Sequence, residues 1–137
     1  MKKTLKAILP KGFKANGLSC GLKKSGKPDL ALIYSQFPAL ASAKFTTNSI
    51  IAAPLIVCKK HLKSAKRFQA ILVNSGNANC STGKQGISDA IATAKSVAVQ
   101  LKIPSRSILV GSTGIIGKRL PLNKIKMAIR IGESKIL

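Results

Sequence analysis

Two short apolar runs, Gln69-Ala70-Ile71-Leu72-Val73 and Ile108-Leu109-Val110, each open directly onto small, uncharged, polar residues. The first runs into Asn74-Ser75-Gly76-Asn77-Ala78-Asn79, the second into Gly111-Ser112-Thr113-Gly114. Such runs read as buried strands, and the residues after them read as strand-end turns. Between the two lies the strongest helical pattern in the chain. Ile87, Ala90, Ile91, Ala94, Val97, Ala98 and Leu101 recur at steps of three and four and form one apolar stripe. Ser88 or Gly86 is expected to cap that helix, with Asp89 in its first turn and Pro104 as its stop. Strand, helix and strand in this order predict an α/β or α+β layered architecture.

The remaining segments fit around this unit. Pro10-Lys11-Gly12-Phe13 reads as a turn presenting an aromatic, and Ser25-Gly26-Lys27-Pro28 as a second turn. Leu30-Ala31-Leu32-Ile33-Tyr34 reads as a strand buried on both faces and broken by Phe37-Pro38-Ala39. Ile50 to Val57 is another apolar run, in which Pro54 argues for an edge strand or a bulge. Leu120-Pro121-Leu122 opens a final helix through Lys124, Ile125, Met127, Ala128 and Ile129.

Charge sets the next bound. Lys+Arg number 24 against 3 Asp+Glu, a net charge of +21, and the acids are Asp29, Asp89 and Glu133. Self-repulsion on this scale favours an anionic partner, and nucleic acid is the obvious one. The lysines are scattered, however, and a biased composition or an acidic remainder accounts for them equally. A hydrophobic fraction of 45% excludes a disordered basic tail. Cys20, Cys58 and Cys80 lack C-x-x-C spacing and are an odd number, which favours reduced thiols in a cytoplasmic protein over a disulfide or zinc framework. No segment approaches the length of a membrane span.

Four groups of residues can carry chemistry. Thr113 and Gly114 can form an oxyanion hole, with a hydroxyl and an N–H aimed at a tetrahedral intermediate, or can belong to an ordinary glycine turn. Asn74, Asn77 and Asn79 can bind a substrate carboxylate or simply brace their own loop. Phe45-Thr46-Thr47-Asn48 fits a turn into the next element, or the border of a ligand. Cys80 has only His61 as a histidine base, and no spacing brings them together. Ser81-Thr82-Gly83-Lys84 echoes a phosphate-binding loop without matching its pattern.

Six motifs in register extend the reading. They are Leu9-Pro10-Lys11-Gly12-Phe13, Lys24 to Ile33, Phe45-Thr46-Thr47-Asn48, Val73 to Asn79, Thr82-Gly83-Lys84-Gln85-Gly86 and Ser112-Thr113-Gly114-Ile115-Ile116-Gly117. In this order the chain closely resembles the N-terminal part of the ornithine acetyltransferase / glutamate N-acetyltransferase (ArgJ) family. The resemblance implies a layered α/β sandwich of the ArgJ/DmpA type. It implies a precursor that cleaves itself before a threonine, and α and β chains assembled as an α2β2 heterotetramer. The new N-terminal threonine of the β chain would take acetyl from N-acetylornithine and pass it to glutamate, in arginine biosynthesis. Thr113 and Gly114 would be the oxyanion hole. No bound cofactor is implied, although acetyl-CoA serves some members as a co-substrate.

The chain also departs from that family. The cleavage motif, a small-residue run leading to Met-Thr-Thr-Asp-Thr, is absent, and with it the nucleophile. The expectation is a partial domain. Residues 1–130 would be the N-terminal portion of the α chain and 131–137 a divergent tail, as after a frameshift, a premature stop or a split gene. Such a truncated chain would be inactive alone. The alternative is a strongly basic protein that binds nucleic acid, without specificity, or another anion.

Overall fold

A computed structural model of the chain describes residues 9–132. Four strands form one sheet in the order β1-β2-β3-β4: β1 Phe13–Leu18, β2 Leu30–Ala39, β3 Phe68–Asn77 and β4 Ile108–Ile115. The first two pairings are antiparallel, and β3 runs parallel to β4. Helix α1 (Ala53–Ser64) leads into β3, α2 (Gly83–Leu101) crosses from β3 to β4, and α3 (Leu122–Gly132) follows β4. The mixed α/β architecture is the one the strand–helix–strand pattern predicts.

All three helices cover one face of the sheet. Leu32, Leu72 and Val110 stand side by side in register on that face. They pack in one cluster with Val57 of α1, Val97 of α2 and Ile125 of α3. Alternation along a strand turns the neighbours of these residues the other way. Ile33 and Ile71 are therefore paired on the opposite face, with Val73 beyond them, and all three are exposed.

Several sequence expectations are corrected here. The run containing Pro54 is a helix start, not an edge strand: Pro54 occupies the first turn of α1, where no N–H bond is lost and its fixed φ is preorganised. β2 is buried on one face only, because no layer among the described residues covers the other, and it continues past Phe37 to Ala39 through an irregular pairing. α2 begins at Gly83, upstream of the proposed caps Gly86 and Ser88. Its N-cap residue Thr82 makes no capping bond, since the Thr82 hydroxyl donates to Asn79 Oδ1 instead (2.9 Å). Asp89 consequently lies beyond the first turn and is buried. Gly111 to Gly114 is not a turn after the strand but the second half of β4 itself.

Candidate functional site

The helix-covered face changes character along β3 and β4. One row past Leu32, Leu72 and Val110, the register places Leu30 beside Asn74 and Ser112. The Ser112 hydroxyl donates to Asn74 Oδ1 at 2.6 Å, and Asn74 Nδ2 donates to the Asn77 carbonyl at 2.8 Å. Asn77 Oδ1 accepts the Asn79 N–H at 2.8 Å, and Asn79 Nδ2 reaches the Gly86 carbonyl in α2 at 2.9 Å. All three asparagines are buried. Their amides are occupied in bracing the chain, the structural alternative, although Asn74 to Asn77 are the end of β3 itself and not a turn after it.

Thr113 and Gly114 follow directly on β4. Gly114 lies opposite Gly76, and the register slips immediately beyond, at Asn77. Gly114 has φ +130, and a Cβ there would collide with the backbone of Gly76 and the Asn77 nitrogen. Gly76 has φ +105, and a Cβ on it would press at 3.3 Å on Leu22 in the loop above. Only glycine fits these two facing positions without strain. The outcome is a close crossing of two backbones, with Thr113 exposed beside it. Among the described residues the Thr113 side chain has no hydrogen-bond partner.

The loop over this crossing is organised by Asp29. The carboxylate accepts the N–H groups of Cys20 (2.7 Å), Leu22 (2.7 Å) and Lys23 (2.9 Å), and is only 2% exposed. Burial acts to raise its pKa, but these donors, led by Cys20, outweigh it and hold the carboxyl below its ordinary value. The Asp29 carbonyl also accepts the Ser75 N–H at 2.8 Å, tying the loop to β3. Asp89 is 3% exposed and less well served. Its Oδ1 accepts from Gln85 (2.9 Å), while Oδ2 has no hydrogen bond among the described residues and faces Arg119 Nε at 3.9 Å, an ion pair only. Glu133 lies outside the described residues.

The other sequence candidates fall away from chemistry. Thr46 and Asn48 make the expected turn: Asn48 N–H donates to Thr46 Oγ1 (3.1 Å) and Ile50 N–H to Asn48 Oδ1 (2.9 Å), although the turn leads to α1 rather than to a strand. His61 Nδ1 lies 2.7 Å from the Ile108 carbonyl, which only accepts, so Nδ1 carries the proton and the ring is committed to packing α1 on β4. Burial, followed by hydrogen bonding and negative charge from Asp29, pushes the Cys20 thiol up to about 12. Burial likewise raises Cys58, whose Sγ donates to the Val110 carbonyl at 3.1 Å. All three cysteines are free. Among the described residues no cluster of His, Cys, Asp or Glu suits a metal, and no helix is long and apolar enough to cross a membrane.

A cavity of about 660 Å³ lies elsewhere, between α3 and the loop after β1. It is lined by Leu18, Cys20, Lys124, Met127 and Ile131, and its only thiol is held protonated. Sequence reasoning missed Asp29 and the hub position of Asn77. Scarcity was the available signal for Asp29: where carboxylates are so few, one ahead of a strand has a local task.

Comparison with known proteins follows this geometry. The ArgJ family model matches residues 14–135. A Synechocystis sp. protein named arginine biosynthesis bifunctional protein ArgJ is 48% identical over 120 residues, covering 88% of this chain and 29% of that relative. The crystal structure of the protein of that name from Bacillus halodurans superposes with a TM-score of 0.84 at 40% identity, over 88% of this chain and 62% of the solved one. Ornithine acetyltransferase from Mycobacterium tuberculosis, solved with ornithine, gives a TM-score of 0.87 at 37% identity, over 93% of this chain and 69% of that one.

Proposed function

The chain belongs to the ArgJ family, and on that premise we propose that it is the N-terminal, oxyanion-binding portion of a glutamate N-acetyltransferase / ornithine acetyltransferase. In this reading a threonine at the head of a β chain attacks the acetyl carbonyl of N-acetylornithine. Negative charge develops on the carbonyl oxygen, and the Thr113 hydroxyl and the Gly114 N–H donate to it. Ornithine leaves, and the acetyl-threonine ester is then attacked by the amino group of glutamate, which departs as N-acetylglutamate. The assembly is an α2β2 heterotetramer in the cytoplasm.

One observation carries this reading. Thr113 is exposed without a partner at the point where two glycines bring β3 and β4 into contact. A preorganised donor costs no reorganisation at the moment charge develops, which is why such sites are catalytically strong. The chain spans 29% of the length of the Synechocystis relative, and the family's nucleophile motif is not among its residues. Differential stabilisation without an attacking group forms no acyl-enzyme, so the chain alone performs no transfer.

The experiment is reconstitution. The chain is mixed with the separately produced remainder of an ArgJ relative, and N-acetylglutamate formed from N-acetylornithine and glutamate is measured. Each part alone is expected to be silent and the mixture active. Thr113→Ala should then lower kcat about a hundredfold, the scale of one lost oxyanion donor. Turnover by the chain alone, or an unchanged rate in the variant, overturns the reading.

A second reading, binding of a polyanion, is favoured by the surface. Asp29 and Asp89, the two described acids, are both buried, so every exposed charge among the described residues is positive. Nucleic-acid affinity that falls steeply with salt is expected of any such surface. Only a preference for one sequence or structure would raise this reading above the first.

A further inference from the structure

After Gly114 the chain must return across the end of β3, and Asn77 engages it on both sides. Asn77 Nδ2 donates to the carbonyls of Lys118 (3.0 Å) and Arg119 (3.1 Å). Its backbone stands in register with both Thr113 and Ile115, where the pairing slips. Its Oδ1 and its carbonyl are taken up by Asn79 and Asn74. Two neighbouring backbone bonds hold the same return, from Ala78 N–H to the Ile115 carbonyl (3.0 Å) and from Gly117 N–H to the Cys80 carbonyl (2.8 Å). Among these clasps only Asn77 spans from Thr113 to Arg119. It is 3% exposed, so water offers its amide no alternative.

We propose that Asn77 is a positioning residue for the oxyanion donors: by holding the Lys118–Arg119 return against the end of β3, its side-chain amide fixes where the Thr113 hydroxyl and the Gly114 N–H point. The catalytic half of this inference rests on the oxyanion reading above; the positional half does not. Donors must stand about 2.7–3.1 Å from the developing oxyanion. A displacement of about 1 Å is enough to cost about a hundredfold in rate. Asn77→Asp keeps an acceptor for Asn79 N–H but turns an oxygen toward two carbonyls. Asn77→Ser keeps a small group with a single donor.

Both variants are assayed in the reconstituted enzyme, with competent sites counted from the burst of acetyl-enzyme. Counting sites separates a slower site from a smaller folded fraction. For Asn77→Asp, kcat per counted site is expected to fall about thirtyfold or more, with KM for N-acetylornithine within about twofold, as for an interaction realised in the transition state. Asn77→Ser should lie between that variant and the parent, and it carries the test if the aspartate does not assemble. An unchanged kcat per counted site in the serine variant overturns the proposal. If the parent mixture makes no N-acetylglutamate, the functional reading has failed, and amide exchange in the chain alone decides the positional one. Asn77→Ser should then speed exchange at Ala78 and Gly117, whose N–H groups are bonded across the same return, about tenfold while sparing the β2–β3 ladder, as local opening does. A uniform change, or none, overturns it.

Discussion

β3 and β4 are one pair of strands with two different halves. In the first, Ala70 to Leu72 pair evenly with Ile108 to Val110, and Ala70, Leu72, Ile108 and Val110 pack under the helices. In the second, Asn74 to Asn77 meet Ser112 to Ile115 through amides, a hydroxyl and two facing glycines, and the register slips. The first half is held by burial, which has no direction and tolerates changes of shape. The second is held by directed bonds, which fix geometry and leave a buried partner unsatisfied on loss. Stability is concentrated in one half and orientation in the other.

Substitution breaks this comparison most strongly at Gly114. Gly114→Ala adds a collision with the backbone of Gly76 to a positive φ of +130, and is expected to cost about 3 kcal/mol or more. Urea unfolding measures it, and a loss within about 1 kcal/mol would show that the crossing relaxes freely. Ile108→Ala, at a fully buried side chain in the apolar half, should cost about 2–5 kcal/mol. Ile108→Val should cost only about 0.5–1.5 kcal/mol, the tolerance expected of that half. A larger penalty for the valine than for the alanine would contradict a burial-driven role.

Acid sharpens the comparison from the polar side. The folded-state pKa of Asp29 is lowered, so its carboxylate stabilises the fold above the unfolded value of about 3.9. That contribution is lost as pH falls from there through the folded value. Tm should therefore drop below about pH 4, and Asn at position 29 should flatten the drop. With only 3 acids in the chain, few other carboxylates compete for this signal. The smallest effect is at Ser112. Ser112→Ala leaves Asn74 Oδ1 without its 2.6 Å donor and should cost about 1 kcal/mol. A neutral result would mean that water replaces the hydroxyl.

The apolar half was largely legible in the sequence. Short runs of Ile, Leu and Val announced β3 and β4, and the stripe from Ile87 to Leu101 announced α2, because burial writes a period into side-chain type. The polar half was not. Glycine, serine and asparagine look alike in a turn and in an irregular strand, so Gly111 to Gly114 read as a loop although β4 continues through it. Pro54 misled for a related reason, since it suits both a strand edge and a helix start, and only α1's packing on β4 selects between them. Thr113 and Gly114 came from resemblance rather than from pattern. Nothing local distinguishes a glycine required by a facing backbone from one required by a turn.

The burial of Asp29 and Asp89 has a colloidal consequence. With no exposed carboxylate among the described residues, like-charged molecules hold one another apart in dilute buffer, where the screening length is about 30 Å at 0.01 M salt. At 1 M it shrinks to about 3 Å, and the uncovered sheet face bearing Ile33, Ile71 and Val73 can then meet its like. The isolated chain should stay dispersed in low salt and cloud as salt is added, the reverse of a protein held in clumps by pairing of opposite charges.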